Sequence, residues 1–207
     1  MPTLHPVPDP PTYLDSRVPS PESRSHPMPP FDLAAELAAF AARHPGAADT
    51  VALFRQRLAA GDAGAFARCP AQGHFTGSAL VVSADRQRTL LTHHRKLGRW
   101  LQPGGHADGE ADLARVALRE AEEETGLAGL HLHPGLLDLD RHWIPERGSE
   151  PGHWHYDVRF LVQATAGEDF VVGPESNDLA WWPLRQVADD AGFDASLRRM
   201  AERVLQG

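Results

Sequence analysis

Glu120, Glu122, Glu123 and Glu124 put four carboxylates into five positions of a segment reading LQPGGHADGEADLARVALREAEEETGL over 101–127. On a helix turning about 100° per residue, Leu113, Ala114, Ala117, Leu118 and Ala121 form one apolar arc. Glu120, Glu123 and Glu124 occupy the adjacent arc. Glu120 then faces Glu123 at i,i+3 and Glu124 at i,i+4, a repulsion of about 0.2–0.5 kcal/mol per pair. The last three glutamates also crowd the C-terminal turn, where the macrodipole disfavours an anion by about 0.3–1 kcal/mol each. Arg119 is placed to offset part of this through Glu123. A solvated surface helix bears that much strain. A divalent cation accounts for it better, because hard cations take several carboxylate oxygens at one site.

The approach to this helix carries its own signals. Pro103-Gly104-Gly105 and Asp108-Gly109 read as a flexible loop, and Glu110 or Asp112 suits the first helical turn. Gly126 is placed to end the helix in a left-handed conformation. Together the loop and helix resemble the Nudix box of the Nudix hydrolase family, Gly-x5-Glu-x7-Arg-Glu-U-x-Glu-Glu-x-Gly-U with U aliphatic. Gly105, Arg119, Glu120, Ala121, Glu123, Glu124, Gly126 and Leu127 fall in register. One position departs: Ala111 stands where the first family glutamate belongs, and Glu110 precedes it by one residue.

The resemblance implies a metal-dependent hydrolase that cleaves a phosphoanhydride bond in a nucleoside diphosphate linked to another moiety. It implies that Glu120, Glu123 and Glu124 hold Mg²⁺ or Mn²⁺, and that Arg119 orients a glutamate. Catalytic roles are expected at Glu123, Glu120 and Arg119. The general base is expected among Glu110, Glu123, Glu175 and Asp178, with Glu175 the favoured residue of the Gly173–Asp178 loop. Gly104, Gly105, His106 and Arg99 are the candidate substrate contacts. His93-His94-Arg95-Lys96 could also meet phosphate.

Histidine is abundant, at 12 residues. His74, His93, His94, His106, His142, His153 and His155 stand out. His153 and His155 share a strand face by the period of two, and structural or surface histidine is the plainer reading. Trp143, Trp154, Trp181 and Trp182 could stack on a base, although packing suits at least two of them better.

These residues need a scaffold. Hydrophobic residues make up 42% and charged ones 23% of the 207, within the globular range. Ten of the 18 prolines lie in residues 1–30, which read as an extended or disordered tail. Phe31, Leu33, Ala34, Leu37, Ala38 and Ala41 predict a helix stopped by Pro45-Gly46. Asp49 or Thr50 can cap a second helix carrying Val51, Phe54 and Leu58 to Gly61. Residues 31–70 thus form a helical segment ahead of a Nudix domain over 71–207. Within that domain the patterns predict strands at Phe75–Ser83, Thr89–His93, His153–Ala164, Asp169–Val172 and Leu179–Trp182. An amphipathic helix over Asp194–Leu205 closes it. The fold class is α/β, a Nudix-type α/β/α sandwich with a mixed sheet.

Composition limits the partners. With 20 Lys and Arg against 28 Asp and Glu, the formal charge of −8 argues against duplex nucleic acid. A phosphate ligand is still possible where a cation reverses the local field. Cys69 is the only cysteine, so no internal disulfide or cysteine cage can form. No apolar run approaches the roughly 20 residues of a membrane span, and a cytoplasmic location, with a homodimer as an allowed assembly, is the expectation. Two alternatives stand beside hydrolysis. Isopentenyl-diphosphate isomerases use a metal-binding histidine after a Cys-Gly turn, matched here by His106 without the cysteine. A non-catalytic nucleotide sensor of the same fold is the other. The family's ADP-ribose and dinucleotide subgroup positions fall near His142–Ile144, with Pro145 close but late, so ADP-ribose, dinucleotides, coenzyme A and nucleoside triphosphates all stay open as substrates.

Overall fold

A computed structural model describes residues 31–61, 63–68, 72–173 and 176–207. The expected tail (1–30), Cys69 and Glu175 lie outside these residues. Among the described residues no helix is long and apolar enough to cross a membrane.

Alternating polarity makes the strands and fixes their faces. In β1 (His74–Val82), Phe75, Ala79 and Val81 enter one core cluster, while Leu80 and Val82 enter a second on the opposite face. In β7 (His153–Ala164), Tyr156, Val158, Phe160 and Val162 join the first cluster, and Trp154 packs against it, as the period of two requires. β1 and β7 run parallel over nine register pairs, from His74 opposite His155 to Val82 opposite Gln163.

The sheet grows outward from this pair. β5 (Leu130–Leu132) and β6 (Asp138–Ile144) both join β7 antiparallel. On its other side β1 pairs antiparallel with β4 (Gly104–His106) and, at its end, with β2 (Arg88–His94). β2 also carries β3 (Arg99–Leu101) and β8 (Ser176–Pro183). The result is an eight-stranded mixed sheet with helices on both faces, the expected α/β/α sandwich.

On one face lie α3 (Leu113–Thr125) and the helical segment, α1 (Leu33–Arg43) and α2 (Ala48–Ala59). Leu33, Leu37, Phe40, Val51 and Phe54 are buried in the same cluster as β1, β7 and α3, so this segment shares the main core. The Arg57 guanidinium, itself buried, donates to the Gly73 carbonyl at 2.9 Å at the entrance of β1. On the other face α4 (Leu184–Asp189) and α5 (Ala195–Gln206) bury Leu184, Leu197, Met200 and Val204. The closing helix is amphipathic as expected, with Leu197, Met200, Ala201 and Val204 buried, and Asp194 caps it through the Ser196 N–H.

Three expectations need correction. α2 begins at Ala48, with Ala47 as its cap and no side-chain capping bond, so Asp49 lies in its first turn. The glycine pair is a strand: Gly104–His106 is laddered onto Thr76–Ser78 instead of looping free. Residues 169–172 form no strand, because the Val171 N–H is taken by the Thr125 carbonyl at the end of α3 (2.8 Å).

Candidate functional site at the junction of β4 and α3

The acidic helix is set down on the sheet by its ends and by one glycine beneath it. Asp112 caps its start, accepting from the Arg115 N–H at 3.1 Å. Gly126 ends it with φ 67°, a left-handed conformation that glycine adopts without Cβ strain. Below its first turns lies Gly77 of β1, where a Cβ would stand 2.8 Å from the Leu113 carbonyl and 3.0 Å from Val116 Cγ1. Close helix–strand contact therefore depends on this residue. The sequence held one signal for it, a lone glycine inside a strand pattern.

β4 then meets the glutamates. The Gly104 N–H donates to Glu124 Oε1 at 2.8 Å. One residue on, a Cβ at Gly105 would come within 2.5 Å of Glu120 Cδ and Oε2. Arg119 donates through Nη2 to Glu120 Oε1 (2.9 Å) and to the His106 carbonyl (3.3 Å). Its partner is therefore its neighbour Glu120, in place of the expected Glu123, because from that position one guanidinium nitrogen also reaches the strand. The hydrogen bond to Glu120 holds the Arg119 pKa above its ordinary value. Glu120 is largely covered, with 18% of its side chain exposed, Glu124 is half-buried, and Glu123 is exposed.

This donor set suits a hard divalent cation. Its atoms are carboxylate oxygens on one helix face, and the missing Cβ of Gly105 leaves room for the carboxylate of Glu120. Glu110 is engaged elsewhere: Oε1 accepts from the Asp112 N–H at 3.0 Å and Oε2 lies 3.8 Å from Arg115, so it helps start the helix. Asp178 stands exposed on β8 opposite His93, accepting its neighbour Leu179's N–H. Arg99 lines a cavity of about 550 Å³ with Trp100, Trp182 and residues of the α4–α5 region, and no α3 residue lines it. His93 packs on Trp100 and bonds Asn177, while His94 Nδ1 accepts the Lys96 N–H, closing its own turn.

His106 points to the sheet face opposite Gly105, where the structure gathers it with the expected His153–His155 pair and with His74 and His142. Its ring lies 5.1 Å from that of His74 and 5.2 Å from that of His155. His153 and His142 complete the group, their rings 5.0 and 5.5 Å from His155. Burial and the four neighbouring imidazoles push His155 down to about 2, and burial also lowers His106. Farther along the same face runs a buried polar stripe. Asp157 Oδ1 accepts from Thr76 (2.9 Å) and Ser78 (2.7 Å), and Oδ2 from Arg159 (2.6 Å). Arg159 also lies 3.4 Å from Asp140, and Arg199 clamps Asp138 at 2.7 Å.

The tryptophans divide. Trp182 packs between Trp100 and Phe193, and Trp181 donates to the Glu168 carbonyl. Trp154 lies under the Arg141 guanidinium at 3.8 Å and edge-on to Trp143, which is 51% exposed.

Comparison with known proteins gives three kinds of match. The NUDIX domain matches residues 74–204. A Mycobacterium tuberculosis protein provisionally named 8-oxo-dGTP diphosphatase 3 is 32% identical over 141 residues, 62% of each chain. The CMP-5'-(N-acetyl-N-hydroxy-3-aminopropyl)phosphonate hydrolase of Streptomyces rubellomurinus is 32% identical over 128 residues, 56% of this chain and 57% of its own. The chain thus aligns with about three-fifths of the length of these relatives. Among solved structures, the MutT NUDIX hydrolase of Burkholderia pseudomallei is 27% identical with a TM-score of 0.50, covering 64% of this chain and 98% of that one.

Proposed function

The chain belongs to the Nudix family, and from that premise we propose that it is a divalent-metal-dependent hydrolase cleaving a phosphoanhydride bond in a nucleoside diphosphate derivative. The observation that carries this reading is the β4–α3 contact. One glycine donates its N–H to Glu124, and the next makes space for Glu120.

Glu120, Glu123 and Glu124 would hold the Mg²⁺ or Mn²⁺, which when bound neutralises pyrophosphate oxygens and acidifies a water. The protein's own part is positioning. Arg119 fixes the carboxylate of Glu120 and ties it to the β4 backbone. The Gly104 N–H fixes one oxygen of Glu124. With no side chain at Gly104 or Gly105, β4 packs closely against Ser78 and Glu120. The proton of the attacking water goes to a carboxylate, Glu123 on α3 or Glu175, which directly precedes β8 in the sequence.

Both relatives are named for nucleotide substrates, 8-oxo-dGTP and a CMP-phosphonate. A nucleotide carrying a second group is therefore the substrate class we assign, and the charge of −8 favours a small molecule over a duplex. The test is a panel of nucleoside triphosphates, nucleoside diphosphate sugars, ADP-ribose, dinucleoside polyphosphates and coenzyme A, each with Mg²⁺, Mn²⁺ or EDTA. Nucleotide product with metal, abolished by EDTA and restored by Mg²⁺, is expected. Tight binding of one compound without product under any metal would overturn hydrolysis in favour of a nucleotide sensor.

A further inference from the structure

We propose that His74, His153 and His155 form a second cation site, specific for a nitrogen-preferring transition metal of the Zn²⁺ type, on the sheet face opposite α3. The parallel pairing of β1 with β7 puts His74 directly beside His155, and the period of two puts His153 on the same face. One donor atom from each lies within 4.8 Å of the others. His153 Nε2 and His155 Nε2 stand 3.1 Å apart. That is close to the edge of about 3.3 Å that a tetrahedral ion with bonds of about 2.0–2.1 Å to nitrogen requires.

The orientation of one ring is already set in the way a ligand's is. His153 Nδ1 lies 2.9 Å from the Pro151 carbonyl, which can only accept, so the proton sits on Nδ1 and the lone pair on Nε2. Holding the far nitrogen against a carbonyl or carboxylate is how metal-bound imidazoles are fixed. His142 beside the triad is oriented similarly, with Nδ1 3.1 Å from Asp140. His74 and His153 are 1% and 2% exposed, a degree of burial uncommon for histidine. The fourth position is left to water or to one of the adjacent rings, His106 or His142.

Donor chemistry separates this site from the glutamates. Imidazole suits Zn²⁺ and its first-row neighbours, whereas carboxylate oxygens suit Mg²⁺ and Mn²⁺. β4 runs between the two sites, Gly105 against Glu120 on one face and the His106 ring against His74 and His155 on the other. The reading goes beyond the hydrolase proposal and does not depend on it.

The test uses the purified full chain, stripped with a chelator and titrated with Zn²⁺ against a chromophoric competitor while excess Mg²⁺ occupies the oxygen sites. One equivalent of Zn²⁺ is expected to bind. His153→Asn and His155→Gln are each expected to weaken it by at least about 10–100-fold. Glu123→Gln should leave it unchanged. Co²⁺ in the unmodified chain supplies a readout that needs no variant: strong visible bands of a four-coordinate nitrogen site are expected. Faint bands of six-coordinate Co²⁺, or Zn²⁺ affinity unchanged in both folded histidine variants, overturns the site.

Discussion

The backbone of Gly105 lies flat against the carboxylate of Glu120, so close that a Cβ would stand 2.5 Å from Glu120 Cδ and Oε2. The glycine thereby sets the position of one proposed ligand. It sits in β4 with no positive φ to accommodate, so contact alone, and not backbone strain, demands it.

Gly105→Ala is therefore a probe of ligand placement. The methyl group pushes Glu120 off its position, and a shift near 1 Å costs about 100-fold in turnover. The overpacking costs about 1–3 kcal/mol of stability. Measuring kcat and the Mg²⁺ concentration for half activity, beside a thermal melt, checks this. Wild-type turnover in the variant would show that Glu120 is not a ligand.

Glu124 separates structure from chemistry. Glu124→Gln keeps an acceptor for the Gly104 N–H but loses the charge a cation needs. Turnover should fall by about 100-fold or more with Tm unchanged. Glu124→Ala should lose the same activity and also about 1 kcal/mol of stability with the hydrogen bond. Equal activity in Glu124→Gln and the wild type would remove Glu124 from the metal set.

The helical segment should unfold with the sheet. Phe54 of α2 is fully buried, with ring centroids 5.4 Å from Tyr156 and 6.1 Å from Phe75. Phe54→Ala is expected to cost about 3–5 kcal/mol in a single urea transition. Two separate transitions would mean that α1 and α2 fold independently.

Asp140 should mark the acid limb of stability. Burial pulls its pKa upward, but the hydrogen bond with His142 and the charges of Arg159 and Arg199 outweigh it and hold it well below 3.8. Its stabilisation is thus fully present above the ordinary aspartate range and lost as pH falls through the lower folded value. Asp140→Asn should cost about 1–3 kcal/mol at neutral pH. The gap from wild type should narrow in urea unfolding below about pH 4. A gap constant with pH would show that the carboxylate charge is not what Asp140 contributes.

Much of this was readable from local chemistry. The end of α3 follows from Gly126, because left-handed termination is a property of a single residue, whereas its start falls at Leu113 with Asp112 as the cap, just past the Glu110 or Asp112 expected in the first turn. The β7 and α5 faces follow from periodicity alone. β4 was not readable: two consecutive glycines carry no strand propensity, and the strand exists because β1 offers a ladder while Ser78 and Glu120 leave no room for a Cβ. The opposite error at 169–172 has the same origin, since a partner on α3 claimed the backbone that a ladder would have used. Arg119 chose Glu120 for a similar reason, the His106 carbonyl lying within reach.

The sequence by itself determined an acidic helix with its glycine end, the spacing of its glutamates and the alternation of its strands, all short-range consequences of residue type. Only the tertiary structure decided which distant residues share a face. Thr76 and Asp157, 81 positions apart, and the histidines of β1, β4, β6 and β7 meet because parallel and antiparallel register align them. Register between strands is set by the burial of whole faces, a property no single segment carries.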